Sequence, residues 1–179
     1  MTDINHLTGK TEKQFFFEVH LNWLEQHRGI LYARDVNENL HVATPAAFAG
    51  EGKEWGPEHL FLSSLSSCFM STYLAIAKKV DVEISHFECS AIGQIEIVEG
   101  KYKFTHINLY PRVFIADVQL FEKANLVLEK TKKYCLVSNS VNAAIIYHPE
   151  ILIEKHPRLL KGEGNIINKA INEPAGNEY

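Results

Sequence analysis

Three cysteines, one arginine and one glutamate are the side chains of this sequence best suited to chemistry. Cys68 lies inside a long apolar run, Cys89 in an alternating run, and Cys135 just past a lysine-rich segment. A cysteine attacks only as the thiolate. At an ordinary pKa near 8.5, about 3% is ionised at pH 7, and burial lowers that fraction. A guanidinium in contact reverses the trend and can donate hydrogen bonds to a substrate's oxygens. Read one at a time, Cys68 and Cys89 fit buried structural thiols. At Cys135 the neighbouring lysines favour a thiolate, while the negative end of a helix dipole opposes it. Arg28 fits a hairpin surface charge, and Glu58 fits a carboxylate matched to the dipole of a helix start. The residue types therefore permit thiol redox chemistry without requiring it.

Other chemistries find little support. The nine histidines show no HxH or HExxH spacing and the cysteines no CxxC, so no metal site is expected. No GxSxG elbow is present for a serine hydrolase. The cluster Ser63-Ser64-Leu65-Ser66-Ser67 reads as small residues that let another helix come close. With 18 basic and 22 acidic residues the net charge is −4. That argues against a nucleic-acid or acidic-membrane partner. Three cysteines are too few and too odd in number for a disulfide scaffold, which points to a reducing compartment. The opening MTDINHLTGKTEKQ has no apolar signal core, so a cytoplasmic location is expected.

The elements that must position these residues follow from pattern. The 179 residues suit one domain with short tails. Residues 15–24 alternate, with Phe17, Val19, Leu21 and Trp23 on one side. Two further short strands are expected over 30–33 and 40–43. Residues 44–56 carry Pro45, Gly50, Gly52 and Gly56 and read as a loop. Pro57 suits the first residue of a helix, Glu58 its first turn, and Lys78-Lys79 its end. Within it, 60–77 run for 18 residues without a charge. That just reaches membrane length, but the serines, threonine and tyrosine favour a helix buried in protein. Strands over 87–97 and 102–110 are joined by a turn at Glu99-Gly100. Asp117 caps a second helix over 118–133. A short helical segment over 140–147 and a strand over 150–155 complete the pattern. The order β-β-β-α-β-β-α-β implies an α+β fold with helices on a largely antiparallel sheet.

Several of these segments together carry a family resemblance. Gly56-Pro57-Glu58-His59-Leu60-Phe61, followed by Ser67-Cys68-Phe69, resembles the NPEQLF…ACF signature of the OsmC/Ohr family. These are the osmotically inducible and organic-hydroperoxide-resistance proteins. Ala43-Thr44-Pro45 and Ile92-Gly93-Gln94-Ile95 are similar to the same family. Cys135-Leu136-Val137-Ser138-Asn139 resembles its second motif, Cys-Pro-x-Ser-Asn, with Leu136 in place of the proline. The resemblance covers 15–155, leaving 1–14 as an N-terminal tail and 156–179 as a C-terminal extension.

The resemblance implies a two-layer α+β fold with a long buried central helix, assembled as an intertwined homodimer. It implies a thiol peroxidase for organic hydroperoxides that needs no cofactor. Cys68 would be the peroxidatic cysteine and Cys135 the resolving one. Arg28 is the best match to the activating arginine, with Arg34 the runner-up. Glu58 matches the glutamate of the PE motif and would hold that arginine. An external dithiol, of lipoyl type, would complete the cycle. Phe48, Phe69 and Met70 would favour bulky peroxides. On one straight helix, however, Glu58 and Cys68 stand about 15 Å apart along the axis. Unless the helix breaks, the site must be composite across a dimer. The alternative is a non-enzymatic apolar-ligand binder or redox sensor on the same scaffold.

Overall fold

The structure is a computed structural model and describes residues 13–154. The N-terminal tail (but for its last two residues) and the C-terminal extension lie outside them. The described residues divide into two compact units, one ending at Phe61 and the other beginning at Leu62.

The first unit holds a three-stranded antiparallel sheet in the order β1-β2-β3. Its strands are β1 (His20–Glu25), β2 (Arg28–Tyr32) and β3 (Leu40–Ala43). The β1–β2 turn is tight and places Gln26 at φ 44°. Residues 15–19, expected as strand, precede the first ladder pair, His20 with Tyr32. Past β3, one turn of 3-10 helix (Ala46–Phe48) opens the glycine-rich loop. The loop returns to the sheet at Trp55, whose carbonyl accepts from the Ala43 N–H at 3.0 Å.

Helix α1 runs unbroken from Pro57 to Lys79. Gly56 caps it: its carbonyl accepts from the Leu60 N–H at 3.1 Å, and its own N–H donates to His59 Nδ1 at 3.0 Å. A histidine thus plays the part that a glutamate or glutamine plays in a capping box. A side chain at Gly56 would stand 2.4 Å from the Pro45 ring, so only glycine fits there.

In the second unit a long hairpin joins β4 (His86–Val98) to β5 (Lys101–Ile115). Glu99 and Gly100 both have positive φ, as a tight two-residue turn requires. Strands β6 (Ala144–Tyr147) and β7 (Glu150–Ile153) lie end to end along the other side of β5, both parallel to it. The sheet is therefore mixed. Residues 144–147 are a strand and not the expected helix. Their Ala-Ile-Ile-Tyr run favours extended backbone, and the ladder to His106–Leu109 satisfies it. Helix α2 (Phe121–Tyr134) follows one turn of 3-10 helix, Val118–Leu120. Asp117 caps that turn, its Oδ1 accepting from the Gln119 N–H at 2.9 Å.

The core of this unit is assembled from three stripes. Ile107, Leu109, Val113 and Ile115 alternate on β5, and Ala124, Val127, Leu128 and Thr131 recur at helical spacing on α2. From α1 come Leu65, Phe69, Tyr73 and Ala77, each four residues from the last. Tyr73 stacks obliquely on Phe87 with ring centres 5.5 Å apart, and Phe69 on Tyr147 at 5.7 Å. Helix α1 is long and apolar enough to cross a membrane by length and composition. It buries one face here, leaving Met70 and Leu74 more than a third exposed. Gly93 lets β4 pass close to this helix. A side chain there would come within 3.0 Å of Leu62 and 2.5 Å of the Phe104 ring.

Candidate active site

The second unit brings Cys68 and Cys135 together. Cys68 sits mid-helix in α1, one residue before the buried Phe69, and is partly covered. Cys135 caps the end of α2, and its N–H donates to the Thr131 carbonyl at 2.9 Å. The chain then folds back tightly. Asn139 N–H donates to the Cys135 carbonyl at 3.1 Å, and Asn139 Nδ2 to the Lys133 carbonyl at 2.9 Å. This turn aims the Val137 N–H at Cys68 Sγ, 3.5 Å away. Nothing in the sequence marks Val137 for this role, because the group is its amide and not its side chain.

Cys135 is fully buried, and burial pushes its thiol up from the ordinary value. The Ser138 hydroxyl and amide pull it down, and the facing Cys68 thiol pushes it up again. At neutral pH Cys135 therefore keeps its proton. Both sulfurs are free thiols, and the Cys68 side chain is near enough to act on the Cys135 thiol.

Cys89, on β4 opposite Pro111, is half-buried. Burial raises its thiol to about 11, against some relief from Ser66. Alkylation of the native protein at pH 8 is expected to leave Cys89 unmodified, as read by peptide mass mapping. The same shift makes a stability prediction. It favours the fold fully below the ordinary thiol value of 9.0 and is lost as pH rises toward 11. Cys89→Ala should therefore lose less stability over that interval than the parent, by ~2 kcal/mol in chemical denaturation.

Phe69, expected to face a bulky substrate, is instead fully buried in the core. One residue along a helix turns the side chain by about 100°, so Phe69 and Cys68 cannot face the same way.

Arg28 and Glu58 belong to the first unit. Arg28 opens β2 and is partly exposed. Glu58 was expected to hold it, but its partners here are Glu54 and Glu25. Nε donates to Glu54 Oε1 at 3.1 Å, Nη2 donates to the same oxygen, and Nη1 donates to Glu25 Oε1 at 3.2 Å. The pair holds the Glu54 carboxyl below the usual range and raises the arginine. Glu58 stands in the first turn of α1 with Oε2 buried and unpartnered among the described residues. Arg34 lies exposed in the turn after β2 and makes no ion pair among the described residues. Beside Arg28 opens an apolar groove of about 490 Å³, lined by Leu21, Trp23, Leu31, Val42 and Pro57. Among the described residues no cluster suits a metal ion.

A family model described as OsmC-like protein matches residues 50–148. The Bacillus subtilis protein YmaD is 18% identical over 135 residues, 72% of this chain and 88% of its own length. An OsmC-like protein from Vibrio cholerae shares the fold with a TM-score of 0.69 at 17% identity, over 76% of this chain and 99% of that one. The organic hydroperoxide resistance protein OsmC of Legionella pneumophila gives 0.61 at 17%, over 79% and 100%. OhrB of Bacillus subtilis, another organic hydroperoxide resistance protein, gives 0.57 at 21%, over 76% and 98%. At such identities the structures speak for the fold alone. The family match spans all three cysteines and Glu58 and stops short of Arg28. On that match, and with this α+β architecture, the chain belongs to the OsmC-like protein family.

Proposed function

We propose that this protein is a thiol-dependent peroxidase that reduces organic hydroperoxides to alcohols in a reducing, cytoplasmic compartment. The observation that carries the reading is the facing pair of thiols, Cys68 under the Val137 N–H and Cys135 held neutral beside it. In the first step the Cys68 thiolate attacks the distal peroxide oxygen. The O–O bond breaks, the alkoxide takes a proton and leaves as ROH, and Cys68 becomes a sulfenic acid. The Cys135 thiol then gives up its proton to the departing hydroxyl of that sulfenic acid as its sulfur bonds to Cys68; water leaves and a disulfide forms. An external dithiol, of lipoyl type, reduces it by exchange and is itself oxidised to a disulfide. Arg28 stabilises the thiolate and the developing alkoxide, with Glu58 as a second carboxylate near it in the assembled site.

The assembly in this proposal is a homodimer with composite sites. Support comes from the unbroken α1, which separates Glu58 from Cys68 by ten residues, about 15 Å of axis. Support comes also from the apolar surface each chain leaves open, with Leu21 and Trp23 on β1 and Met70 and Leu74 on α1 all exposed. Preference for organic over hydrogen peroxide rests on the apolar groove beside Arg28.

Intact-mass and peptide analysis after one equivalent of cumene hydroperoxide tests the reading. The expected product has lost two hydrogens and links Cys68 to Cys135. Over-oxidised Cys68 beside an untouched Cys135 thiol would sink it.

A further inference from the structure

Glu54 is the best-mounted partner of Arg28. Its side chain is 20% exposed against 67% for Glu25, so the Glu54 contact is less screened by water. One oxygen of Glu54 takes two donors of the guanidinium, which fixes the plane of that group as well as its place. The other oxygen is buried without a partner among the described residues, so the carboxylate relies on the arginine for compensation.

Both ends of the pair are tied to the same sheet. Arg28 is in ladder register with Ala43 of β3. Trp55, next to Glu54, bridges to Val42 and accepts from the Ala43 N–H. The Thr44 N–H closes the arrangement on the His27 carbonyl at 3.1 Å. The arginine also stands in the walls of two clefts. One is the apolar groove; the other is polar, about 320 Å³, and lined by Gly50, Glu51, Lys53 and Glu54. Glu54 lines only the polar cleft, so its carboxylate holds the guanidinium from that side while Arg28 still borders the apolar groove.

We infer that Glu54 is the positioning residue of this site, orienting Arg28 from the glycine-rich loop while the guanidinium supplies the charge. The inference rests on the peroxidase reading above and adds a residue to it. It separates two jobs of Arg28. Stabilising a thiolate needs only a nearby positive charge, whereas meeting the peroxide oxygens needs a fixed orientation.

The test compares Glu54→Gln, Glu54→Asp and Arg28→Ala in the full chain. Two readouts are taken: kcat/KM for cumene hydroperoxide with a dithiol, and the rate of Cys68 alkylation by iodoacetamide at pH 7. Glu54→Gln is expected to lower kcat/KM roughly tenfold and change alkylation by no more than about twofold. Glu54→Asp keeps the charge and should fall between parent and Gln. Arg28→Ala should depress both readouts. Peroxide turnover of Glu54→Gln at the parent rate overturns the assignment, as does a faster variant, which would make Glu54 a restraint on the arginine. If Glu54→Gln does not fold, Glu54→Asp decides by the same criterion. A parent protein that turns over no peroxide overturns the peroxidase reading and this assignment with it, so the two failures are told apart.

Discussion

Replacing Cys68 with serine should abolish peroxide consumption, to the uncatalysed background, a loss of at least ~10³-fold. The serine hydroxyl stays protonated near neutral pH and forms no counterpart of the sulfenic acid. Its size is close to that of the thiol, and Cys68 is only partly covered, so the fold should survive. The measurement is disappearance of cumene hydroperoxide with a dithiol present. Cys135→Ser should behave differently: one equivalent consumed in a burst, then a stall with Cys68 held as sulfenic acid. Retention of more than about one per cent of turnover by Cys68→Ser would place the reacting sulfur elsewhere.

The largest loss of stability is expected for Phe69→Ala. Phe69 is fully buried on the stripe Leu65, Phe69, Tyr73 and Ala77 and packs obliquely on Tyr147 of β6. Deleting the ring forfeits its transfer energy and leaves a cavity between α1 and the sheet, at a cost of ~3–5 kcal/mol. For a chain of this size the melting temperature should fall by about 10 °C. The control is Met70→Ala on the chain's open face, whose cost in the separated chain should stay below ~1 kcal/mol. A Phe69→Ala protein melting with the parent would mean that the α1 stripe is not the support of the site that it is taken to be.

The parts of this molecule legible in its sequence are those set by neighbours in sequence. Pro57 and Glu58 mark the start of α1 and Lys78-Lys79 its end, because caps and dipole partners act within one turn. Asp117 caps the 3-10 turn that leads into α2 and not α2 itself, and Glu99-Gly100 makes the hairpin turn. What distant partners decide was less visible. Residues 144–147 become a strand only because β5 offers them a parallel ladder, some forty residues upstream. The partner of Arg28 depends on Trp55 bringing the loop back to β3, so nothing local distinguishes Glu54 from Glu58. The meeting of Cys68 with Cys135 was readable through family motifs and not through spacing. Val137 contributes an amide, which any residue but proline has. The fate of Phe69 was available in principle, since its four-residue spacing with Leu65 and Tyr73 already placed it on the inner face.

The position of β7 has a consequence for synthesis. The mixed sheet takes Glu150–Ile153 as its last element, laid beside Arg112–Ile115. A nascent chain still held in the ribosome before residue 153 therefore lacks the strand that flanks the end of β5. Until then the apolar stripe of α1 is already made while part of the sheet it packs on is missing a neighbour. Such an intermediate exposes sticky surface for the seconds that translation of about ninety residues takes.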